Sequence, residues 1–301
     1  MMSPIKNVML IGAGGNLGPS ILQALLDAHF TVSILARESS QSTFPPTVTV
    51  HRTDYSYASL LAVFQGQDAV VSALGSSALE HQNVIVDAAV GAGVKRFIPS
   101  EFGCNTVNRK GAAIVPFFQA KVDQVEYLKR MAAAHPSFTW SSVITGGFFD
   151  WSLKTGFSGY DLNRMTATIY DDGTRRTSTS TLKTIGLAVA RTLLHPAETA
   201  NTYLYIQSFA VSQNEVLAAL EAVKGVAFAV THRTTEAARM EGAQKLAAGD
   251  IMAGYLDLIM AAVCSPGTGN DFEQEVEGGT TNSMLGLPKE TLEEAIKEAL
   301  A

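Results

Sequence analysis

Cysteine is scarce in this sequence of 301 residues, and its two cysteines, Cys104 and Cys264, lie far apart. Their spacing fits neither a disulfide framework nor a redox or metal-binding motif. No apolar run approaches the roughly 20 residues needed to cross a bilayer, and no cluster of lysine and arginine forms a basic stripe for nucleic acid. These absences predict a cytoplasmic protein with reduced thiols, no metal site, no membrane segment and no nucleic-acid partner.

Charged side chains are also few. They make up 17% of the chain, against 47% for hydrophobic residues, and the formal net charge is −6. This composition is typical of a compact globular protein and excludes a disordered one. The length suits one large α/β domain or two smaller ones, with enough residues to bury a sizeable core.

Glycine is abundant in the N-terminal region. The apolar run Val8–Ile11 stops at a cluster of glycines, and residues 19–26 follow with apolar positions at helical spacing. A strand, a glycine turn and a helix in this order open a dinucleotide-binding βαβ unit, in which the helix N-terminus faces the phosphates. The residues predicted to contact the cofactor in this turn are Gly12, Gly14, Gly15, Asn16, Leu17 and Gly18.

The glycines of this turn are expected to have different roles. Gly12 permits the tight turn, and Gly18 lets the helix pack close to the strand. Gly14 or Gly15 lets a pyrophosphate approach the backbone, and the sequence alone leaves the choice between them open.

The second predicted strand, Thr31–Ala36, indicates which nicotinamide cofactor is used. An acidic residue at the end of this strand normally binds the ribose 2′-hydroxyl of NAD. Here Arg37 ends the strand and hydroxyl residues such as Ser39 follow, a combination suited to the 2′-phosphate of NADPH. Glu38 is the counter-argument, because its side chain would favour NADH if it faced the ribose.

Two further strand ends are predicted to approach the cofactor. Asp54 follows the strand 48–52 and would either reach the adenine edge or cap the helix predicted over 56–64. Leu74 and Gly75 end the almost entirely apolar strand 68–75, and ligands of such sheets bind at the carboxyl ends of the strands.

Strands and helices alternate through the first half of the chain, which predicts a parallel sheet with right-handed crossovers. The fold class expected is α/β, a Rossmann-type doubly wound parallel sheet with a smaller α+β substrate lobe. Residues 1–150 are predicted to form the dinucleotide-binding domain and residues 151–301 mainly the substrate lobe, with part of 180–210 returning to the sheet. After residue 223 the chain is predicted to be mainly helical, apart from a loop over 265–283.

Aromatic residues crowd the ends of two later strands. Phe148, Phe149 and Trp151 follow the strand 139–144, and Phe102 follows the strand 94–99. Aromatic rings at this edge of the sheet indicate the wall of a pocket for a flat apolar ligand, so these four residues are predicted to contact the substrate. Plain core packing is the alternative for each ring.

Several stretches together resemble the NmrA-like and isoflavone-reductase-like branch of the atypical short-chain dehydrogenases. They are residues 12–18 and 35–39, the helix around Lys121, and most specifically the block 94–103. The resemblance implies NADPH as cofactor and reduction of an aromatic small molecule. It implies that Arg37 binds the 2′-phosphate and that Lys121 contacts the nicotinamide ribose and serves in proton transfer. Gly14 departs from the family, which often has threonine there.

The expected chemistry is unusual for a short-chain dehydrogenase, because Phe117 stands four residues before Lys121 where such enzymes have a tyrosine. Lys121 would therefore be the one proton donor, sufficient for a conjugated substrate, or would only bind the ribose. The predicted function is an NADPH-dependent reductase of an aromatic or conjugated small molecule, for example in secondary metabolism. The alternative is an NmrA-type redox-sensing regulator that binds NAD(P) without catalysis, and a homodimer is left open.

Overall fold

The computed structural model describes residues 4–75 and 81–301. The sequence predicts a helix near residues 79–92. Positions 79 and 80 lie outside the described residues, and the structure shows a helix over Gln82–Gly91. No helix within the described ranges is both long and apolar enough to pass through a bilayer.

A seven-stranded parallel sheet forms the centre of the N-terminal half. Its spatial order is β11-β6-β5-β4-β1-β2-β3, and the strands are β1 (Asn7–Ile11), β2 (Thr31–Arg37), β3 (Thr49–Thr53), β4 (Ala69–Ser72), β5 (Arg96–Ile98), β6 (Thr139–Ile144) and β11 (Thr202–Tyr205). β11 pairs in parallel with β6, so the chain returns to the sheet after residue 180. This is the Rossmann-type α/β fold predicted from the alternation of strands and helices. The division at residue 150 stays a prediction.

The central strand explains why helices cover both faces of the sheet. Val8 and Leu10 belong to one core cluster and Met9 and Ile11 to another, and all four are fully buried. Successive side chains of a strand point to opposite faces, so an uninterrupted apolar run requires cover on both sides. The helices of this half are α1 (Gly18–Asp27), α2 (Tyr57–Phe64), α3 (Gln82–Gly91), α4 (Arg109–Ala112), α5 (Phe118–Ala134) and α7 (Leu182–Leu194).

The smaller lobe contains two three-stranded sheets and most of the remaining helices. One sheet has the order β12-β10-β7 and the other β13-β9-β8, with β7 (Gly147–Phe148), β8 (Tyr160–Asp161), β9 (Thr166–Tyr170), β10 (Arg176–Ser180), β12 (Phe209–Ser212) and β13 (Ala229–Arg233). The helices are α6 (Phe149–Thr155), α8 (Gln213–Lys224), α9 (Thr235–Ala247), α10 (Ile251–Cys264), α11 (Phe272–Glu275) and α12 (Leu292–Leu300).

The prediction that the chain after residue 223 has only helices and a loop is wrong at one segment. Residues Ala229–Arg233 form β13, which pairs in parallel with β9. Four of its five side chains are exposed, so the strand carries no apolar alternation that sequence analysis could detect. Its pairing with a strand about 60 residues earlier in the chain is a tertiary effect. Ser212 is the N-cap of α8 and forms a capping box with Glu215.

Candidate active site

The glycine turn joins β1 to α1 with two glycines that the chain itself requires. Gly12 has a φ of +83°, and an added Cβ atom would lie 2.4 Å from the main-chain oxygen of Ala73 on the next strand. A Cβ atom on Gly18 would lie 2.3 Å from the oxygen of Ala13. The positive φ of Gly12 fits the tight turn predicted for it, and Gly18 lets the start of α1 pack closely on the turn that follows β1.

Gly14 and Gly15 differ in the space that an added Cβ atom would find. A Cβ atom on Gly15 would meet only the oxygen of Gly12, at 3.3 Å, whereas one on Gly14 would lie 2.5 Å from Oγ of Ser42. α1 begins after Leu17 without a side-chain cap. Gly18 and Ser20 supply the N–H groups of the first turn, since Pro19 has none, and uncapped N–H groups at a helix start are the kind that bind phosphate oxygens.

The end of β2 is open to solvent where a 2′-phosphate is expected. Arg37 and Ser39 are both exposed, and the N–H of Ser40 turns back to the oxygen of Arg37 at 3.0 Å. Sequence analysis missed Ser42 and Arg52. Nη2 of Arg52 reaches the oxygen of Ser42 at 3.5 Å, which brings a second arginine to the same loop. The signal was present in the sequence as a run of hydroxyl residues after Arg37.

Asp54 does not cap the helix that follows it. Ser56 is the N-cap of α2 and accepts the N–H of Ser59, so the capping alternative for Asp54 is wrong. The Asp54 carboxylate instead accepts the N–H of Ser56 at 2.9 Å, and this hydrogen bond lowers its pKa. Ser56 is the better cap because its extended backbone aims the hydroxyl at the first turn. A contact between Asp54 and adenine stays a prediction.

The ends of β4 and β5 are joined beside the expected position of the nicotinamide. The hydroxyl of Ser100 donates to the main-chain oxygen of Leu74 at 2.6 Å. Gly75 is exposed, and within the described residues an added Cβ atom there would meet nothing within 4 Å. Leu74, by contrast, is fixed through its backbone.

Lys121 lies in the first turns of α5 and points to the end of β5. Its Nζ atom donates a hydrogen bond to the main-chain oxygen of Glu101. Burial is the main cause that lowers the pKa of Lys121, and the nearby Glu101 carboxyl opposes this shift. A lysine with a lowered pKa is suited to giving up a proton near neutral pH.

Glu101 is a buried acid that sequence analysis did not assign to the site. It is 1% exposed, and its Oε2 accepts the hydroxyl of Thr106 at 2.6 Å. Burial raises the pKa of this carboxyl, with Lys121 and Thr106 opposing the shift. Burial also raises the pKa of Cys104 to about 11. The buried surroundings of Lys121 therefore disfavour charged groups, and the pKa of this lysine is lower than that of an exposed lysine.

A cavity of about 280 Å³ opens between the strand ends and the lobe, and Lys121 lies in its wall. The four residues predicted to contact the substrate, Phe102, Phe148, Phe149 and Trp151, also line it. The fold thus brings all five predicted residues to one space. Other lining residues come from α5, β10, α8 and α10, among them Phe117, Phe118, Ser178, Gln213, Ile259, Met260 and Val263.

The aromatic residues of the cavity differ in how firmly they are packed. Phe149 is 6% exposed and packs edge-to-face on Phe209, with ring centroids 4.8 Å apart. Trp151 contacts Phe148 at 6.5 Å and Phe157 at 5.3 Å, and all three of these rings are only partly buried. Phe148 and Trp151 therefore have ring surface left for a flat ligand, while Phe149 mainly supports the wall.

No tyrosine that lines the cavity takes the place of the phenol that is missing at position 117. Phe117, which occupies that position, lines the cavity and packs edge-to-face on Tyr255 at 4.9 Å. Tyr160 also lines the cavity, but its hydroxyl donates to the main-chain oxygen of Gln213 at 2.8 Å, and burial raises its pKa. Among the residues that line the cavity, Lys121 is the best-placed proton donor.

The sequence matches a known protein family and a curated relative over most of its length. A model described as the NmrA-like family matches residues 4–241. Oxidoreductase aprR of Aspergillus flavus is 40% identical over 298 residues, which span 97% of this chain and 98% of that protein. Family and relative both cover the glycine turn, the lysine helix and the strand ends.

Two solved structures share the whole fold. The complex of leucoanthocyanidin reductase with NADPH from Vitis vinifera has a TM-score of 0.80 at 18% identity, over 98% of this chain and 99% of that chain. A structure of AtPrR2 with NADP+ and (+)pinoresinol has a TM-score of 0.81 at 19% identity, over 99% and 100%. At these identities the likeness establishes the fold.

Proposed function

The chain belongs to the NmrA-like family, and on that premise we propose that it is an NADPH-dependent reductase of an aromatic or conjugated small molecule. The observation that carries the proposal is the cavity that Lys121 shares with Phe102, Phe148 and Trp151. The oxidoreductase class agrees with the full-length relative from Aspergillus flavus, and the cofactor agrees with the NADPH and NADP+ of the two structural neighbours.

The residues at the edge of the sheet fit the phosphates of this cofactor. The open space at Gly15 and the uncapped start of α1 would hold the pyrophosphate. The exposed guanidinium of Arg37 would hold the 2′-phosphate, with the hydroxyl of Ser39 beside it. NADPH bound in this way would supply a hydride at the strand ends, where the cavity opens.

Lys121 would supply the proton in such a reaction. The hydride adds to an electrophilic carbon of the substrate, and the displaced electron pair moves through the conjugated system to an oxygen or carbon atom. The ammonium group of Lys121 then gives a proton to that atom and regains one from water. Because the conjugated system itself disperses the charge, one weak acid is enough, and the absence of a tyrosine at position 117 is consistent with this substrate class.

An aromatic substrate is supported by the walls of the cavity. Rings of Phe148 and Trp151 are partly exposed at its mouth, and apolar side chains of α10 such as Ile259 and Met260 close it. Flat apolar ligands bury most of their surface in pockets of this kind. The neighbour that was solved with (+)pinoresinol binds a substrate of matching chemistry in the same fold.

The test is to follow the absorbance of NADPH when the purified protein meets a panel of enones, quinones and phenolic benzylic ethers. We expect at least one compound to be reduced, with NADPH preferred to NADH, and we expect Phe148→Ala to raise the KM for that compound. If no compound consumes NADPH while NAD and NADP bind with similar affinity, the protein is a redox-sensing regulator and the proposal is wrong.

A further inference from the structure

The charge of the cavity wall is unbalanced. Among the described residues that line it, Lys121 and Arg175 are the charged ones, and no aspartate or glutamate belongs to the lining. The chain as a whole has a net charge of −6, whereas the side chains that line this cavity include two cations and no acid. The role of Lys121 follows from the proposed reaction, which leaves Arg175 unexplained.

Arg175 lies directly before β10, and its side chain forms an ion pair with Glu275. Its Nη2 donates to Oε1 of Glu275 at 2.7 Å, and the two side chains are 26% and 20% exposed. The same Oε1 atom also accepts the N–H of Gly267 at 3.1 Å. Glu275 is therefore shared between the arginine and the loop before α11, and it accepts from Nη2 but not from Nε of the guanidinium.

The Nε–H group, which lies beside Nη2 on the guanidinium, lacks an acceptor among the described residues. Nε of Arg175 is buried and has no hydrogen-bond partner within residues 4–75 and 81–301. An arginine carries five N–H donors in a fixed plane, and leaving a buried donor unsatisfied destabilises the site. An arginine at the wall of an apolar cavity with unused donors is the arrangement of a binding group whose ligand supplies the missing oxygen atoms.

We propose that the substrate carries a carboxylate or another anionic oxygen and that Arg175 is the specificity-determining residue that binds it. The inference rests on the proposed function, because it concerns the ligand of the same cavity. The aromatic part of the substrate lies on the rings of Phe148 and Trp151, and its anionic group pairs with Arg175. Arg175 keeps the bond from Nη2 to Glu275 and donates from its other N–H groups to this anionic group.

The experiment compares two ligands of one shape that differ in charge. The dissociation constants of 2-naphthoate and 2-naphthamide are measured by calorimetry on the full chain with NADPH, and neither ligand has to react. We expect the carboxylate to bind at least about tenfold more tightly, since a charge-assisted pair in an apolar cavity exceeds a neutral hydrogen bond. We expect Arg175→Met to abolish this preference and Arg175→Lys to keep only part of it.

Two control variants separate recognition from structure. Glu275→Gln removes the ion pair of Arg175 but keeps the guanidinium, so the preference for 2-naphthoate should remain. Arg176→Met makes the same charge change at the next residue, whose exposed side chain pairs with Glu215 outside the cavity, and it should leave the preference unchanged. Melting temperatures check that each variant is folded.

Three results would overturn the proposal: equal affinities in the wild type, a preference that survives in folded Arg175→Met, or no binding of either ligand. A preference lost in Glu275→Gln as well as in Arg175→Met would assign Arg175 a structural role and overturn it too. These outcomes are independent of turnover. Failure of NADPH consumption with an intact preference for the carboxylate would contradict the reductase and leave the anion site standing.

Discussion

The side chain of Lys121 donates a hydrogen bond to the main-chain oxygen of Glu101. This acceptor belongs to the backbone just after β5, so it fixes the ammonium group at the strand ends whatever the charge of the glutamate. The carboxyl of Glu101 is buried and is held by the hydroxyl of Thr106. Lys121 is therefore positioned by the fold and modulated by an acid, an arrangement that suits proton transfer to a ligand in the cavity.

Replacing Lys121 by methionine should lower turnover by about 10²–10⁴-fold, the usual contribution of a positioned acid or base. The melting temperature should change little, since methionine retains most of the apolar contacts of the lysine stem. Lys129→Met is the matched control, because Lys129 lies on the same helix and forms an exposed ion pair with Glu126. Unchanged turnover of NADPH with an accepted substrate would limit Lys121 to binding.

Replacing Glu101 by glutamine should change the pH dependence of stability. Burial raises the pKa of Glu101 above 4.5, so the folded protein keeps this carboxyl neutral where the unfolded chain ionises it. The free energy of unfolding of the wild type should therefore fall as pH rises from about 4.5 through the raised pKa, by at most about 1.4 kcal/mol per pH unit. Glu101→Gln should remove this contribution.

The control for this prediction is Glu126→Gln. The exposed Glu126 has a pKa lowered by its hydrogen bond to Lys129, so its contribution has the opposite sign and is small. Denaturant unfolding of the three proteins between pH 4 and pH 8 measures the slopes. Parallel curves for wild type and Glu101→Gln would show that Glu101 is ionised in the folded protein.

Residues 94–103, the block that resembles the family most specifically, have both a structural role and a role in the candidate site. Arg96 is fully buried, and its guanidinium donates to Thr139, Ser141 and Thr199, up to 103 residues away. Burial lowers its pKa to about 10. The same block supplies Phe102 to the cavity wall and the main-chain oxygen of Glu101 to the hydrogen bond of Lys121. Sequence analysis found the block, but it could not divide these roles, because each depends on partners that only the folded sheet brings near.

The strand ends and the aromatic residues after β6 were predictable, and the contributions of β10 and α10 to the cavity were not. Short-range patterns located the glycine turn and Arg37, since strand, turn and helix follow each other within a few residues, and the family resemblance located Lys121. Arg175 and the α10 side chains reach the cavity only because β10 packs against the end of β6. There a Cβ atom on Gly146 would lie 1.9 Å from the oxygen of Ser178. Such an approach leaves no periodic signal in the sequence.

Arg37 should decide between the two nicotinamide cofactors. We expect Arg37→Ala to weaken NADPH binding by about 10–100-fold and NADH binding hardly at all, because only the 2′-phosphate loses a charge-assisted contact. Dissociation constants from calorimetry measure both effects. Arg164→Ala is the control, since Arg164 is an exposed arginine of the lobe with a side chain that is 83% exposed. Equal losses for the two cofactors would refute the role of Arg37.

The turn glycines allow cofactor binding to be separated from folding. Within the described residues, a Cβ atom on Gly15 would meet only the oxygen of Gly12, at 3.3 Å, so we expect Gly15→Val to stay folded and to lose NADPH binding by filling the space expected for the pyrophosphate. Gly18→Ala should instead lower the melting temperature, because its Cβ atom would lie 2.3 Å from the backbone oxygen of Ala13. Tight NADPH binding by folded Gly15→Val would mean that the phosphates lie elsewhere on the turn, and that α1 does not receive them.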